Sequence, residues 1–243
     1  MTVPFRRTVR GQPPAQGSQR TVRCQPAYDT PAYRSTALRA PLAEPVAFAG
    51  SATETSGPRF SAIHFPPLAD LTRVAGGEAQ GQRIIVAGRV SDEDGRAVAN
   101  TMIELWQANA AGRYRHPTDQ HDAPLDPHFH GAGRVFTDAE GRYRFVSVRP
   151  GSYPWRNAEN AWRPSHIHFS LFGAGFAQRL ITQMYFEGDP LLEFDAIFHS
   201  VPDRAARERL VARFEIGLTE AEWAHGYRFD IVLRGREATP QEG

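Results

Sequence analysis

The clearest signal along the chain is a change of pattern near residue 83. Before it the sequence is rich in Pro, Gly, Arg and Ala and shows little periodicity, which reads as an extended arm with short turns. From "RIIVAGRV" (83–90) onward, short apolar runs with β-branched residues alternate with turn sequences. "SDEDGRAVAN" reads as a turn. "TMIELWQA" (101–108) then sets Met102, Glu104 and Trp106 against Ile103 and Leu105 with the period of two expected of a strand. "TDAEGRYRFVSV" (137–148) is a second turn-and-strand unit, and "SHIHFSLF" (165–172), "RLITQMYF" (179–186) and "YRFDIVLRG" (227–235) supply further strands. One helix is predicted over "PDRAARERLVARF" (202–214), with a further single turn at "TEAEW" (219–223), whose T-x-x-E resembles a capping box. Many short strands with Gly/Pro turns predict a mainly β protein. Its expected form is a β-sandwich of the transthyretin (prealbumin) type with an extended N-terminal arm and one or two short helices. The expected division is an arm over residues 1–82, packing on the core or on a partner chain, and a sandwich domain over 83–243.

Composition narrows the chemistry. All 28 basic residues are arginine, so a lysine Schiff base and a P-loop lysine are excluded. Cys24 is the only cysteine, which excludes an intrachain disulfide, an iron–sulfur cluster and a zinc site built on several cysteines. The net charge is +1, so nothing demands a nucleic acid or an anionic membrane. The charge is uneven: Arg6, Arg7, Arg10, Arg20 and Arg23 lie in the first 28 residues, which carry no acid. No apolar stretch is long enough for a signal or a membrane span, and the expectation is a soluble, cytoplasmic protein.

Within the strand at 165–172, His166 and His168 point to one face and Ile167 and Phe169 to the other. Two imidazoles aimed at one place suggest a metal; a hydrogen-bonded pair on a half-buried face is the plainer reading, and these residues alone leave both open. The cupin spacing of glycine and glutamate is missing, His168 stands where a facial triad would place its carboxylate, and no H-E-x-x-H is present for a zinc hydrolase. A second cluster, "HPTDQHDAPLDPHFHGAG" (116–133), holds His116, His121, His128 and His130 among three aspartates, in a Pro/Gly-rich loop with no regular element to fix ligand geometry. Tyr114 and Tyr153 complete the candidates. Ionising a phenol at neutral pH costs about 4 kcal/mol, which a hard trivalent ion can supply and Zn(II) does not favour. Two phenolates with two imidazoles therefore point to ferric iron.

The segments G-R-Y-R-H at 112–116, P-G-x-Y-P-W-R-N at 150–157 and W-R-P-x-H-I-H-F at 162–169 resemble the ferric intradiol ring-cleaving dioxygenases, and the likeness runs from about residue 83 to 236. It implies one Fe(III) per chain held by Tyr114, Tyr153, His166 and His168, with Tyr153 as the ligand that leaves and serves as base when a catechol chelates. It further implies Arg163 as the stabiliser of negative charge on the ring, with Gln183, Trp155 and the apolar Ile197 in the pocket. Two features favour the branch of the family that takes protocatechuate and O2. The first 80 residues lack the helical periodicity of a dimerisation domain, and "TPAYRST" (30–36) is similar to a segment whose tyrosine, here Tyr33, lies near the substrate carboxylate. The same branch implies a homologous, iron-free α chain as partner in a higher αβ oligomer. The rivals are an intradiol enzyme for catechol, chlorocatechol or hydroxyquinol, and a transthyretin-like binding module without catalysis.

Overall fold

Phe169 lies at the centre of the structure, with Tyr143, Phe145 and Phe229 around it at ring-centroid distances of 6.1, 6.0 and 5.1 Å. The computed structural model describes residues 24–43, 61–74, 76–156, 161–172 and 179–242. The five arginines of the basic segment, Arg6 to Arg23, lie outside them.

The described strands are β1 (Arg73–Val74), β2 (Gly77–Glu78), β3 (Arg83–Ser91), β4 (Met102–Trp106), β5 (Ala132–Phe136), β6 (Arg142–Val148), β7 (Tyr153–Pro154), β8 (Trp162–Arg163), β9 (His166–Phe172), β10 (Arg179–Phe186), β11 (Val211–Phe214), β12 (His225–Arg228) and β13 (Ile231–Val232). Among the described residues three short α-helices accompany them, α1 (Thr36–Arg39), α2 (Ala196–His199) and α3 (Arg204–Glu208), with 3₁₀ turns at Pro190–Phe194 and Ile216–Leu218. A nine-stranded sheet runs β13-β3-β12-β11-β10-β9-β4-β5, with β6 on the other edge of β3. The half built on β3 and β6 packs its inner face against β4, β9 and β10, forming a sandwich around one core. Truncating a residue as central as Phe169 to alanine would cost about 3–5 kcal/mol.

The predicted turns form because aspartates cap them. Asp92 Oδ1 accepts from the N–H groups of Asp94 and Arg96, both at 2.9 Å, and Asp138 Oδ1 does the same for Glu140 (3.0 Å) and Arg142 (2.7 Å). Gly95 and Gly141 supply the positive φ that each turn needs.

The helix predicted over 202–214 is a correction. Asp203 caps α3 through the Ala205 N–H at 3.2 Å, but the helix ends after Glu208, and Val211–Phe214 is a strand. Val211 and Ala212 pair in parallel with Tyr185 and Phe186, while Arg213 and Phe214 pair with β12. Ladder bonds on both sides outweigh the helical propensity of "ERLVARF". "TEAEW" is a turn rather than a capped helical start: the Thr219 hydroxyl accepts from the N–H of Gly226, and Glu222 adopts a φ of 61°. Strand β5, which follows the histidine-rich loop, lies outside the runs that the sequence pattern predicts as strands.

Because β11 pairs with β10 only at Tyr185 and Phe186, the edge of β10 around Ile181 is open to another partner. Residues 240–242 take it. Thr182 Oγ1 donates to the Pro240 carbonyl (2.7 Å), the Ile181 N–H to Gln241 Oε1 (3.2 Å) and the Glu242 N–H to the Ile181 carbonyl (2.7 Å). Among the described residues no helix is long and apolar enough to cross a membrane.

Candidate metal centre

Strand β9 builds the site and the core at once. Ile167, Phe169 and Leu171 face the core, and His166 and His168 face the opposite side, where both are nonetheless buried. Pairing in register brings Tyr185 beside His166 and Gln183 beside His168 from β10, and Trp106 beside His168 from β4. The Trp106 ring stacks on His168 at 4.8 Å with 5° between the planes.

The two tyrosines arrive on loops that touch. Asn109 Oδ1 accepts from the N–H groups of Ala111 and Arg113, both at 2.9 Å, closing the turn that delivers Tyr114, and the Asn109 carbonyl accepts from the Gly151 N–H at 2.9 Å. Gly112 (φ 79°) and Gly151 have no room for a side chain, since a Cβ on either would strike the backbone of the other loop. Tyr114 and Tyr153 thus meet edge to face at 5.4 Å. Tyr153 lies 5.6 Å from His166, His166 4.9 Å from His168, and Tyr114 6.4 Å from His168, all ring to ring.

Hydrogen bonds fix which atoms are presented. His166 Nδ1 donates to the Pro164 carbonyl (2.7 Å), which leaves Nε2 with its lone pair 3.3 Å from the Tyr153 hydroxyl. His168 Nδ1 faces the Glu242 carboxylate at 3.1 Å. The Tyr114 hydroxyl is buried and makes no hydrogen bond among the described residues. Burial, followed by the neighbouring Tyr153 phenol, raises the Tyr114 pKa well above the ordinary tyrosine value; burial also raises Tyr153, against the pull of Arg163. Burial first, then Arg163 and His168, hold His166 well below the usual histidine range, so its imidazole is neutral.

This donor set fits a trivalent cation. Two imidazoles offer ring nitrogens, and two phenols that ionise only against burial converge beside them. An orphaned hydroxyl such as that of Tyr114 is costly unless a further group claims it. A +3 charge would favour both phenolates.

Arg163 is paired to Tyr153 through the β7–β8 register and lies beside the cluster. Its Nε stands 3.0 Å from Asp195 Oδ1, and its Nη2 donates to Gln183 Oε1, to Tyr185 Oη (3.3 Å) and to Asp195 Oδ2 (3.4 Å). Trp155 lies under the guanidinium at 5.4 Å, and Tyr33 packs edge-on to Trp155 at 4.9 Å, with Arg39 over the Tyr33 ring. Ile197 is buried in α2, which Asp195 caps through the Phe198 N–H. Tyr153, Pro154, Trp155 and Arg156 line a cavity of about 480 Å³ with residues Thr118 to Asp122.

The histidine-rich loop serves as scaffold. Asp119 accepts from the Tyr114 N–H at 2.7 Å, and Asp126 accepts from the N–H groups of Gln80 (2.7 Å) and His128 (2.8 Å). His128 Nδ1 donates to the Val74 carbonyl, and His121 packs on Trp162. Among the described residues no group of three or more His, Cys, Asp or Glu side chains is arranged to hold a metal. Sequence reasoning reads Trp106 only as a packing residue and misses Asp119, Tyr185, Asp195 and Glu242. Only the register of Trp106 and Tyr185 on strands flanking β9 offered any signal.

A family model described as "Dioxygenase" matches residues 55–235, and one described as "Protocatechuate 3,4-dioxygenase beta subunit N terminal" matches residues 19–51. The protocatechuate 3,4-dioxygenase beta chain of Burkholderia cepacia is 57% identical over 220 residues, 89% of this chain and 93% of that one. Catechol 1,2-dioxygenase 2 of Acinetobacter lwoffii is 36% identical over 137 residues, 52% of this chain and 48% of its own. Among solved structures, the dioxygenase domain of a dioxygenase–carbohydrate-binding protein fusion from Streptomyces sp. SirexAA-E aligns with a TM-score of 0.51 at 26% identity, over 74% of this chain and 94% of that one.

Proposed function

The chain belongs to the intradiol dioxygenase family, which uses non-heme iron, and from that membership we propose that it works as the iron-binding chain of a protocatechuate 3,4-dioxygenase. In this reading it cleaves protocatechuate with O2 to 3-carboxy-cis,cis-muconate, both oxygen atoms entering the product, in partnership with a homologous α chain. The observation that carries the substrate is the β-subunit match over residues 19–51, which contains Tyr33. The observation that carries the metal is the convergence of Tyr114, Tyr153, His166 and His168, with a buried Tyr114 hydroxyl that makes no hydrogen bond among the described residues.

Bound by those four donors, ferric iron would supply Lewis acidity and a template for two vicinal catechol oxygens. The remaining work falls to side chains. Arg163 favours ionisation of both phenols and ranks higher among the influences on Tyr153, which suits the Tyr153 oxygen to take a proton from a substrate hydroxyl. Arg163 directs a fixed cation at charge developing on the ring, a role often worth a few kcal/mol. Asp195, Gln183 and Tyr185 hold its guanidinium in place. Trp155 and Ile197 supply apolar wall, and Tyr33 with Arg39 offers a hydroxyl and a cation for the substrate carboxylate.

The test is a visible spectrum of the chain co-expressed with its homologous partner, before and after anaerobic addition of protocatechuate. A broad phenolate-to-iron band that shifts on addition is expected; iron-loaded protein without colour would overturn the ligand set. Comparable turnover of unsubstituted catechol would overturn the substrate.

A further inference from the structure

Glu242 lies far along the sequence from the four donors, yet its Oε2 sits 3.1 Å from His168 Nδ1. We propose that Glu242 is a positioning residue for the metal centre, its carboxylate accepting the Nδ1–H of His168 and so fixing the ring with the lone pair on Nε2. The inference rests on the reading that His168 is an iron ligand.

Three observations carry it. First, the carboxylate is held in place from its own backbone: the Glu242 N–H donates to the Ile181 carbonyl, and Gln241 Oε1 and the Pro240 carbonyl receive bonds from Ile181 and Thr182. Ile181 and Gln183 share a strand face with His168, so this grip aims residue 242 at the same face. Second, the Trp106 ring covers the His168 plane, so the imidazole is fixed by stacking on its face and by a carboxylate at its edge. Third, the two histidines are treated differently. His166 Nδ1 meets a neutral carbonyl, whereas His168 Nδ1 meets a carboxylate. A carboxylate draws an Nδ1 proton more strongly and makes the opposite nitrogen the better donor. The pair is largely out of solvent, with side-chain exposures of 11% for His168 and 22% for Glu242, so water screens it little.

Glu242→Ala removes anchor and charge, and Glu242→Gln keeps an acceptor but removes the charge. In holoenzyme purified with its partner chain, iron release to a chelator is expected to be about tenfold or more faster in Glu242→Ala, within the 10- to 100-fold range typical of such partners. An intermediate rate is expected in Glu242→Gln, with the phenolate-to-iron band displaced in both. In metal-free wild-type protein, ¹⁵N NMR should report His168 protonated on Nδ1, and Glu242→Ala should lose that preference. Gln241→Ala, which loosens the grip on residue 242 but leaves its carboxylate, should give a release rate between those of wild type and Glu242→Ala. Wild-type release and band in Glu242→Ala would overturn the proposal and leave the four-donor reading intact. A Gln241→Ala protein that matched Glu242→Ala would also overturn it, by assigning the effect to closure of the segment. Iron-loaded wild type without a phenolate band would remove the four-donor reading and this inference with it.

Discussion

Asp195 and Arg163 form a 3.0 Å ion pair whose side chains are only 1% and 4% exposed. A charged group so deeply buried persists only with its partner, and losing one member typically costs about 3–5 kcal/mol. Asp195→Asn should lower stability by that order, seen as a reduced urea midpoint at unchanged slope. It should also slow turnover more than it weakens substrate binding, because the guanidinium loses its orientation. A midpoint within error of wild type would refute the pairing.

The glycine at 112 makes a separate test. Its φ of 79° and the Ser152 carbonyl beside it leave no room for a methyl group, so Gly112→Ala should push apart the loops that carry Tyr114 and Tyr153. Iron stoichiometry is expected to fall along with melting temperature. Gly95→Ala has the same sign of φ but open space around it, and should show only the backbone strain, about 1–3 kcal/mol, at full iron content. Metal analysis with thermal melting distinguishes the two.

The tyrosines should separate in opposite directions. Tyr114→Phe deletes a buried hydroxyl that makes no hydrogen bond among the described residues, so metal-free protein should be as stable as wild type or more so, by about 1–3 kcal/mol, while iron retention collapses. Tyr153→Phe should keep more of its iron but slow the spectral change on adding protocatechuate. Calorimetry of the metal-free proteins beside stopped-flow absorbance reads both effects. A destabilised Tyr114→Phe would mark that hydroxyl as structural.

Alkaline stability is set partly in the core. Tyr143 is fully buried and donates to the Phe229 carbonyl at 2.5 Å, and burial raises its pKa well above the ordinary tyrosine value. A folded-state pKa above the unfolded one contributes stability that is complete below about pH 10 and is lost as pH rises beyond it. Tyr143→Phe should therefore be less stable at pH 8, by about 1–3 kcal/mol for the abandoned carbonyl, yet decline less steeply above pH 10. Melting temperatures across pH 8 to 11 would show parallel curves if the idea is wrong.

What the sequence made legible was what local periodicity controls. His166 and His168 share a face because a strand alternates, and the aspartate–glycine turns announced themselves by composition. Tyr114 and Tyr153 emerged through the chemistry of phenols and a family likeness, since neither lies in a patterned strand long enough to aim it. Asp195 and Glu242 were illegible because their partners are set by tertiary packing across distant segments. The helical pattern over 202–214 misleads for a related reason: Val211–Phe214 is extended only because β10 and β12 are there to receive it.

Strand β3 closes the sheet with β12 and β13, which lie more than a hundred residues further along the chain. Pairings of such long range form slowly, and they cannot begin until their second strand has been made. A chain leaving the ribosome has therefore displayed Tyr114, Tyr153, His166 and His168 before the strands that complete β3, and before Glu242 exists to meet His168. Translation order thus runs from donors to closure: the four side chains are synthesised first, and the sheet seals behind them.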